Sequence, residues 1–381
     1  MTILRWIALA VSTLVVLAGV AVLAVTSIGG FRGTTVGDSA AQPSTRVAPR
    51  AATTTDQLGG AFLGDYVTGG RVIRHDQGND TVSEGQAYGL LIALGINDRT
   101  TFDSIWTWTK KNLMKRDGLL AWRFDGGKIV DDQPASDADL DAARALVLAG
   151  AAFDEPSLTT AGNALGSHIL DQLTVSTAVG RILLPGKWAA STEPYTYNPS
   201  YSSPVSYAVL GKSSKDPRWA ELAKGSAAVS KKLLSSTALP PDWAQVAMDG
   251  TVQPSIAPND PSTGVRYGFD AARLVLRYAE SCTSGDRAIS AGLATTLSRS
   301  QTLPLDLGGG RLGGVRSPIA NGAAAAAAAA AGDSARAKSQ LAASAELISS
   351  THTYYGSAWA ALAPLMLETR TLGGCAPIKE N

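Results

Sequence analysis

The stretch Ser83-Glu84-Gly85-Gln86-Ala87-Tyr88-Gly89 places a carboxylate where a polar loop meets an apolar helix. Apolar residues then recur at helical spacing along the chain, in segments 86–95, 101–113, 138–152, 158–173, 217–234, 267–280, 288–298, 335–348 and 354–367. An uninterrupted alanine run at 323–331 predicts a further helix with a small-sided surface. Because strand patterns are short and no internal repeat is detectable, the sequence predicts an all-α barrel or bundle in one domain.

The amino-terminal part of the chain differs from the helical part. Residues 6–28 carry no charge and, as a helix, would be roughly 35 Å long, enough to cross a bilayer. We expect an uncleaved signal-anchor with residues 1–5 in the cytoplasm and the rest outside; a long, cleaved signal peptide of a secreted protein is the alternative. Residues 29–58 are rich in Thr, Ser, Ala and Pro, which predicts a flexible linker before a folded domain at 59–381.

Composition narrows the possible partners. The 381 residues carry a formal net charge of +1, which gives no electrostatic reason to expect nucleic acid. With three histidines and two cysteines, a Cys/His zinc site is not expected, and neither is a cofactor. The 8 tryptophans and 10 tyrosines suit a groove that stacks on sugar rings, although many of them belong to the core. Cys282 and Cys375 can pair outside the cell, but the sequence does not establish that they are close.

Three acidic clusters are candidates for chemistry. In the first, Glu84 can simply be a helix-start carboxylate beside a capping Ser83. In the second, Ala135-Ser136-Asp137-Ala138-Asp139-Leu140, one acid can cap a helix while the other points into a cleft. In the third, Tyr267-Gly268-Phe269-Asp270-Ala271-Ala272-Arg273, the carboxylate interrupts an apolar run three residues before an arginine. An ion pair with that arginine within the helix can explain the carboxylate. A carboxylate inside an apolar stretch must either be paired or take part in function.

These clusters resemble motifs of glycoside hydrolase family 8, the bacterial cellulases and related enzymes. The first is similar to that family's Ser-Glu-Gly-x-Gly-Tyr-Gly-Met motif, the second to its Ala-Ser/Thr-Asp-x-Asp motif and the third to its Phe/Tyr-Asp-Ala-x-Arg motif. Further similar segments follow in the same order: Thr101-Phe102-Asp103 with Trp106 and Trp108, Asp117-Gly118-Leu119-Leu120-Ala121-Trp122-Arg123, Asn198-Pro199-Ser200-Tyr201, Pro240-Pro241-Asp242-Trp243 and Tyr354-Tyr355-x-Ser357. The resemblance covers residues 62–367.

The resemblance implies an (α/α)6 barrel and an inverting hydrolase of β-1,4-glucan. It implies that Glu84 is the general acid, that Asp270 is the general base, and that Asp137 lies in the cleft and binds or distorts the sugar. Arg273 is expected to orient Asp270. The candidates for sugar stacking or hydrogen bonding are Tyr88, Trp122, Trp188, Tyr201 and Tyr354. We expect a monomer whose partners are a β-linked polysaccharide and, through residues 6–28, the membrane.

Departures from the family pattern leave the substrate open. Ala87 and Leu90 stand where Gly and Met are usual, Gln133 and Pro134 where Asn residues are expected, and Ala142 and Arg144 are unusual in the second motif's helix. Xylan, mixed-linkage glucan and chitosan remain alternative substrates. The alternative from another functional class is an inactive accessory protein that is tethered to the membrane and binds glycans. Retention of all three acids argues against it.

Overall fold

A computed structural model of the protein describes residues 54–378, and most of them are helical. Thirteen α-helices lie within this range: α1 Thr54–Tyr66, α2 Ser83–Gly95, α3 Arg99–Asn112, α4 Ser136–Ala152, α5 Pro156–Gln172, α6 Pro204–Ser214, α7 Arg218–Leu234, α8 Phe269–Ala279, α9 Ser284–Ala291, α10 Ala294–Leu297, α11 Pro318–Ala330, α12 Ser334–Thr351 and α13 Tyr354–Glu368.

The helices of the described range form two concentric rings. The inner ring closes through contacts of α2 with α4, α4 with α6, α6 with α8, α8 with α11, α11 with α13 and α13 with α2. Between successive inner helices the chain passes through an outer helix, and the outer positions are taken by α1, α3, α5, α7, the pair α9–α10, and α12. This alternation is an (α/α)6 barrel, as the resemblance to glycoside hydrolase family 8 implies.

Residue composition explains which helix lies inside. Helices that are apolar on every side must be buried, whereas helices with one polar face belong at the surface. In α2, eleven of the thirteen residues are buried, whereas only Phe102, Ile105, Trp106 and Thr109 are buried in α3. The alanine run lies in the inner helix α11, where every residue from Pro318 to Ala329 is buried. Its small side chains let α11 pack closely against α8, α12 and α13.

Short strands occupy the loops. They form five small antiparallel sheets: β1 Val67–Thr68 with β2 Arg71–Val72; β3 Thr81–Val82, β4 Arg123–Asp125 and β5 Lys128–Asp131; β6 Thr174–Thr177 with β7 Gly180–Leu183; β8 Tyr195–Tyr197, β9 Trp243–Val246 and β10 Val252–Ser255; and β11 Thr302–Leu305 with β12 Arg311–Arg316. In the β8–β10 sheet, β9 is central, and Ala244 and Val246 pack on α7 through Val229.

Ion pairs connect α4 and α8 through the interior of the barrel. The pairs are Asp137–Arg273, Asp141–Arg277 and Arg144–Glu280, with closest N–O distances of 2.8, 2.7 and 2.6 Å. All six side chains are almost completely buried, so each charge depends on its partner. Arg144, which departs from the family pattern, is therefore matched by Glu280.

The carboxyl-terminal segment is tied to the end of α8. Cys282 and Cys375 form a disulfide, so the two cysteines that the sequence left unassigned are bonded. Nearby, the Cys375 amide donates to the Glu280 carbonyl, and the Arg144 guanidinium donates to the Leu372 carbonyl.

Three features differ from the sequence-based expectations or lie beyond them. Helix α1 begins at Thr54, inside the stretch 29–58 assigned to the linker, because Phe62 and Leu63 bury an apolar face on the barrel. Helix α6 was not predicted, since its eleven residues include four serines or glycines besides the starting proline. Within residues 54–378 no helix is long and apolar enough to cross a membrane, and the segment 6–28 lies outside that range.

Candidate active site

A single buried arginine brings the three predicted acids together. Arg273 on α8 is 1% exposed. Its Nη1 donates to Glu84 Oε2 at 3.0 Å and to Asp137 Oδ2 at 2.8 Å, and its Nη2 donates to Asp270 Oδ1 at 2.6 Å. Each acid is the second residue of an inner helix, namely α2, α4 and α8. The closure of the ring therefore unites clusters that are up to 186 positions apart in the sequence.

Two of the predicted sugar-binding tyrosines lie behind these acids. Tyr88 and Tyr354 are each 1% exposed. The Tyr88 hydroxyl accepts from Arg273 Nη1 at 3.2 Å, and the Tyr354 hydroxyl donates to Glu84 Oε1 at 3.4 Å. Both contacts support the acids and their arginine, so these tyrosines belong to the wall behind Glu84 rather than to the open cleft.

Asp270 has a second polar contact, which the sequence analysis did not assign. Asn198 Nδ2 donates to Asp270 Oδ2 at 3.2 Å, while Asn198 Oδ1 accepts from the Ser200 amide and hydroxyl. The Ser200 hydroxyl in turn accepts from Arg273 Nη2 at 3.0 Å. The signal for these residues was available, since both belong to the Asn198-Pro199-Ser200-Tyr201 segment.

Glu84 and Asp270 line a cleft of about 460 Å³ with aromatic walls, whereas Asp137 is not part of its lining. Three of the predicted sugar-binding residues line it, namely Trp122, Trp188 and Tyr201, and so does Trp243, which the sequence analysis left without a role. Trp188 is 40% exposed, which leaves a large apolar face open to a ligand. The Arg273 guanidinium lies over the Tyr201 ring, 5.2 Å from its centroid.

The surroundings of Glu84 and Asp137 raise the pKa of both carboxyls. Burial raises the pKa of the Glu84 carboxyl from 4.5 to about 7; the Arg273 charge opposes this rise, and Asp137 and Asp270 add to it. Burial also raises the pKa of Asp137, against the charges of Arg273 and Arg277. Asp270 is more open, with a side chain 32% exposed. Near neutral pH the cleft can therefore offer a protonated carboxyl at Glu84.

Residues 54–378 contain no group of three or more His, Cys, Asp or Glu side chains placed to hold a metal ion. The polar side chains that line the cleft are carboxyls, arginines and amides, beside several aromatic rings. Such a set suits proton transfer to and from a sugar.

Comparisons with known proteins point the same way. The model of the family described as Glycosyl hydrolases family 8 matches residues 49–368. A probable endoglucanase of Novacetimonas hansenii is 33% identical over 215 residues, which cover 55% of this chain and 62% of that protein. An endoglucanase of Cellulomonas uda is 31% identical over 212 residues, covering 54% of this chain and 58% of that protein. The matched regions thus span about 60% of the length of these two curated relatives.

Solved structures share the fold over most of the described range. The endo-β-1,4-glucanase of Acetobacter xylinum superposes with a TM-score of 0.68 at 26% identity, covering 83% of this chain and 98% of that one. A β-1,3-1,4-glucanase of Paenibacillus superposes with a TM-score of 0.72 at 20% identity, covering 84% and 91%. At that identity the second likeness concerns the fold alone.

Proposed function

The chain belongs to glycosyl hydrolase family 8, and on that premise we propose that it cleaves β-1,4-glucan internally, with inversion at the anomeric carbon. The observation that carries the proposal is the convergence of Glu84, Asp137 and Asp270 on Arg273, beside an aromatic cleft that Glu84, Asp270 and Arg273 line. The endoglucanases among its relatives support the same reaction.

In the proposed reaction Glu84 is the general acid. Cleavage of a glycosidic bond passes through an oxocarbenium-like transition state, and the departing oxygen needs a proton. A carboxyl with a pKa of about 7 is still protonated in mildly acidic and neutral solution and is acidic enough to donate. The Tyr354 hydroxyl and Arg273 hold its two oxygens in place.

Asp270 is the proposed general base. It would take a proton from the water that attacks the anomeric carbon on the face opposite the leaving group. Arg273 and Asn198 fix its two oxygens. The same guanidinium contacts Glu84 and Asp270 with different nitrogens. For inversion we expect their carboxyls to lie about 6.5–9.5 Å apart, which leaves room for the attacking water.

Asp137 takes a supporting role. Its Oδ2 is bound to Arg273, while its Oδ1 has no hydrogen-bond partner within the described residues. Asp137 does not line the cleft, and a hydroxyl of the bound sugar that reached Oδ1 would remove the cost of this unpaired buried acceptor. We assign Asp137 to binding and distorting the sugar at the cleavage point.

Other β-1,4-linked polymers remain the second candidate. Gln133 and Pro134, which replace the expected Asn residues, line the cleft and would contact the sugar there. Initial rates on carboxymethylcellulose, lichenan, xylan and chitosan would rank the substrates, and NMR of the first product formed would give the anomer. Highest activity on carboxymethylcellulose with an inverted product is expected. Binding without turnover on all four would favour the accessory protein.

We also propose that residues 6–28 anchor the enzyme, as a monomer, with its barrel outside the cytoplasm. The absence of charge in that segment and the Cys282–Cys375 disulfide, which needs an oxidising compartment, support the proposal. Membrane fractionation with amino-terminal sequencing is the test. A protein free in the medium that begins at or beyond Gly30 would establish cleavage instead.

A further inference from the structure

The amino terminus of α8, which carries Asp270, lacks a capping side chain of its own. The first N–H groups of a helix have no partner within the helix, and a side chain at the N-cap usually accepts from them. The N-cap of α8 is Gly268, which has no side chain.

Asp242 supplies the missing acceptor from another element. It lies immediately before β9, and its Oδ1 accepts from the Gly268 amide at 2.9 Å and from the Ala271 amide at 2.8 Å. Its own amide donates to the Arg266 carbonyl, and Arg266 Nε donates to its Oδ2 at 3.2 Å. The carboxylate is thus held at both oxygens and at its backbone.

The fit between Asp242 and α8 leaves no room for a side chain at Gly268. A Cβ atom there would lie 2.2 Å from Asp242 Oδ2. Asp242 is 8% exposed, and a carboxyl this buried needs partners that offset its desolvation. Burial raises its pKa to about 6, and the nearby Asp270 adds to the rise.

We propose that Asp242 is a positioning residue for the catalytic base. The two amides that it binds belong to Gly268 and Ala271, on either side of Asp270, so it fixes the backbone from which that side chain projects. This inference rests on the proposed function, in which Asp270 activates water.

The side-chain contacts of Asp270 cannot replace this support. Arg273 also binds Glu84 and Asp137, and it lies in the same helix as Asp270, so it would move with α8. Asn198 offers one bond of 3.2 Å. Removal of Asp242 should therefore displace the start of α8 and with it the base, whereas Glu84 is carried by the backbone of α2, which Asp242 does not contact.

The test compares Asp242→Ala with Asp242→Asn. The alanine variant should lose about 10- to 100-fold in kcat on cellohexaose with KM changed less than about threefold, since a displacement near 1 Å can cost that much. The loss should be equally large on 2,4-dinitrophenyl cellobioside, because a good leaving group does not replace water activation. The asparagine variant keeps an acceptor at Oδ1 and should recover most of kcat.

A matched control separates positioning from general loosening. Asp333 caps the outer helix α12 by accepting from the Arg336 amide, so Asp333→Ala removes a similar cap and should leave kcat unchanged. Should Asp242→Ala fail to fold by circular dichroism, Gly268→Ala perturbs the same contact from the other side and should give the same kcat loss.

Unchanged kcat in folded Asp242→Ala would overturn the inference, and so would an Asp242→Asn variant as inactive as Asp270→Asn. Asp270→Asn is measured in parallel. If it is inactive while Asp242→Ala is fully active, the positioning role fails and the proposed function stands. If Asp270→Asn is itself fully active, the assignment of the base fails.

Discussion

Glu84 should control the alkaline side of the pH–activity profile. Its carboxyl moves from an ordinary pKa of 4.5 to about 7, which corresponds to about 3 kcal/mol in favour of the protonated form. Burial causes the rise even though Arg273 lies 3.0 Å from its Oε2. Because the proton donor is lost as Glu84 ionises, kcat/KM on a soluble β-glucan should fall roughly tenfold per pH unit above about pH 7.5.

Glu84→Gln tests the assignment. The amide keeps the shape of the side chain but cannot donate the proton, so turnover should fall by about 10²–10⁴-fold and the alkaline limb should disappear from the residual activity. On 2,4-dinitrophenyl cellobioside, whose leaving group needs little protonation, the variant should regain much of the lost rate. Cellohexaose binding, measured by calorimetry, should persist.

Asp131 provides the matched control. It lines the same cleft but has no hydrogen bond or ion pair with Arg273, so Asp131→Asn should keep the wild-type alkaline limb. An alkaline limb near pH 7 that persists in Glu84→Gln, or no recovery of this variant on the activated substrate, would refute the assignment of Glu84 as proton donor.

Three further changes have defined outcomes. Asp270→Asn should also lose about 10²–10⁴-fold in turnover but should not recover on the activated substrate; recovery there would contradict its role as base. Asp141→Ala leaves the buried Arg277 without its partner and should lower the free energy of unfolding in urea by about 3–5 kcal/mol, whereas Asp141→Leu combined with Arg277→Met should restore most of it. Burial raises the pKa of Asp139 to about 8, so its contribution to stability is full below about pH 4 and is lost as the pH rises to 8. The free energy of unfolding of Asp139→Asn should therefore rise relative to that of the wild type by up to about 1.4 kcal/mol per pH unit between about pH 4 and pH 8. Parallel plots of the unfolding free energy against pH for the two proteins would contradict this prediction.

The helical architecture could be predicted because most of its helices carry a periodic apolar pattern. The closure of the helices into a ring was predicted only from the family resemblance. Helical periodicity does not predict it, because closure depends on which helix faces contact each other. Helix α6 was not predicted because its small and polar residues give only a weak apolar periodicity. It nevertheless has an N-cap, since the Ser203 side chain accepts from the Ser206 amide. Helix α1 was not predicted either, and its first residues, Thr54 and Thr55, resemble the preceding linker in composition.

The site could be predicted as residues but not as geometry. Glu84, Asp137 and Asp270 were named from motifs, yet nothing in the sequence says that one guanidinium contacts all three. Tyr88 and Tyr354 were expected at the sugar because motif membership does not distinguish a cleft surface from the wall behind it. The support of the base by Asp242 was also hidden, because its bond to the Ala271 amide joins positions 29 residues apart.

The simplest interpretation of each acid, a carboxylate at a helix start, is compatible with catalysis. Glu84, Asp137 and Asp270 are each the second residue of an inner helix, where the helix dipole favours the charged form by typically 0.3–1 kcal/mol and by about 2 at most. That is too little to keep a buried carboxyl ionised, so the pKa of Glu84 still rises to about 7. Glu84 and Asp137 share Nη1 of Arg273, whereas Asp270 binds Nη2, which also donates to the Ser200 hydroxyl. A carboxyl at a helix start can therefore still be a proton donor, because at Glu84 the effect of burial on the pKa exceeds that of the helix dipole.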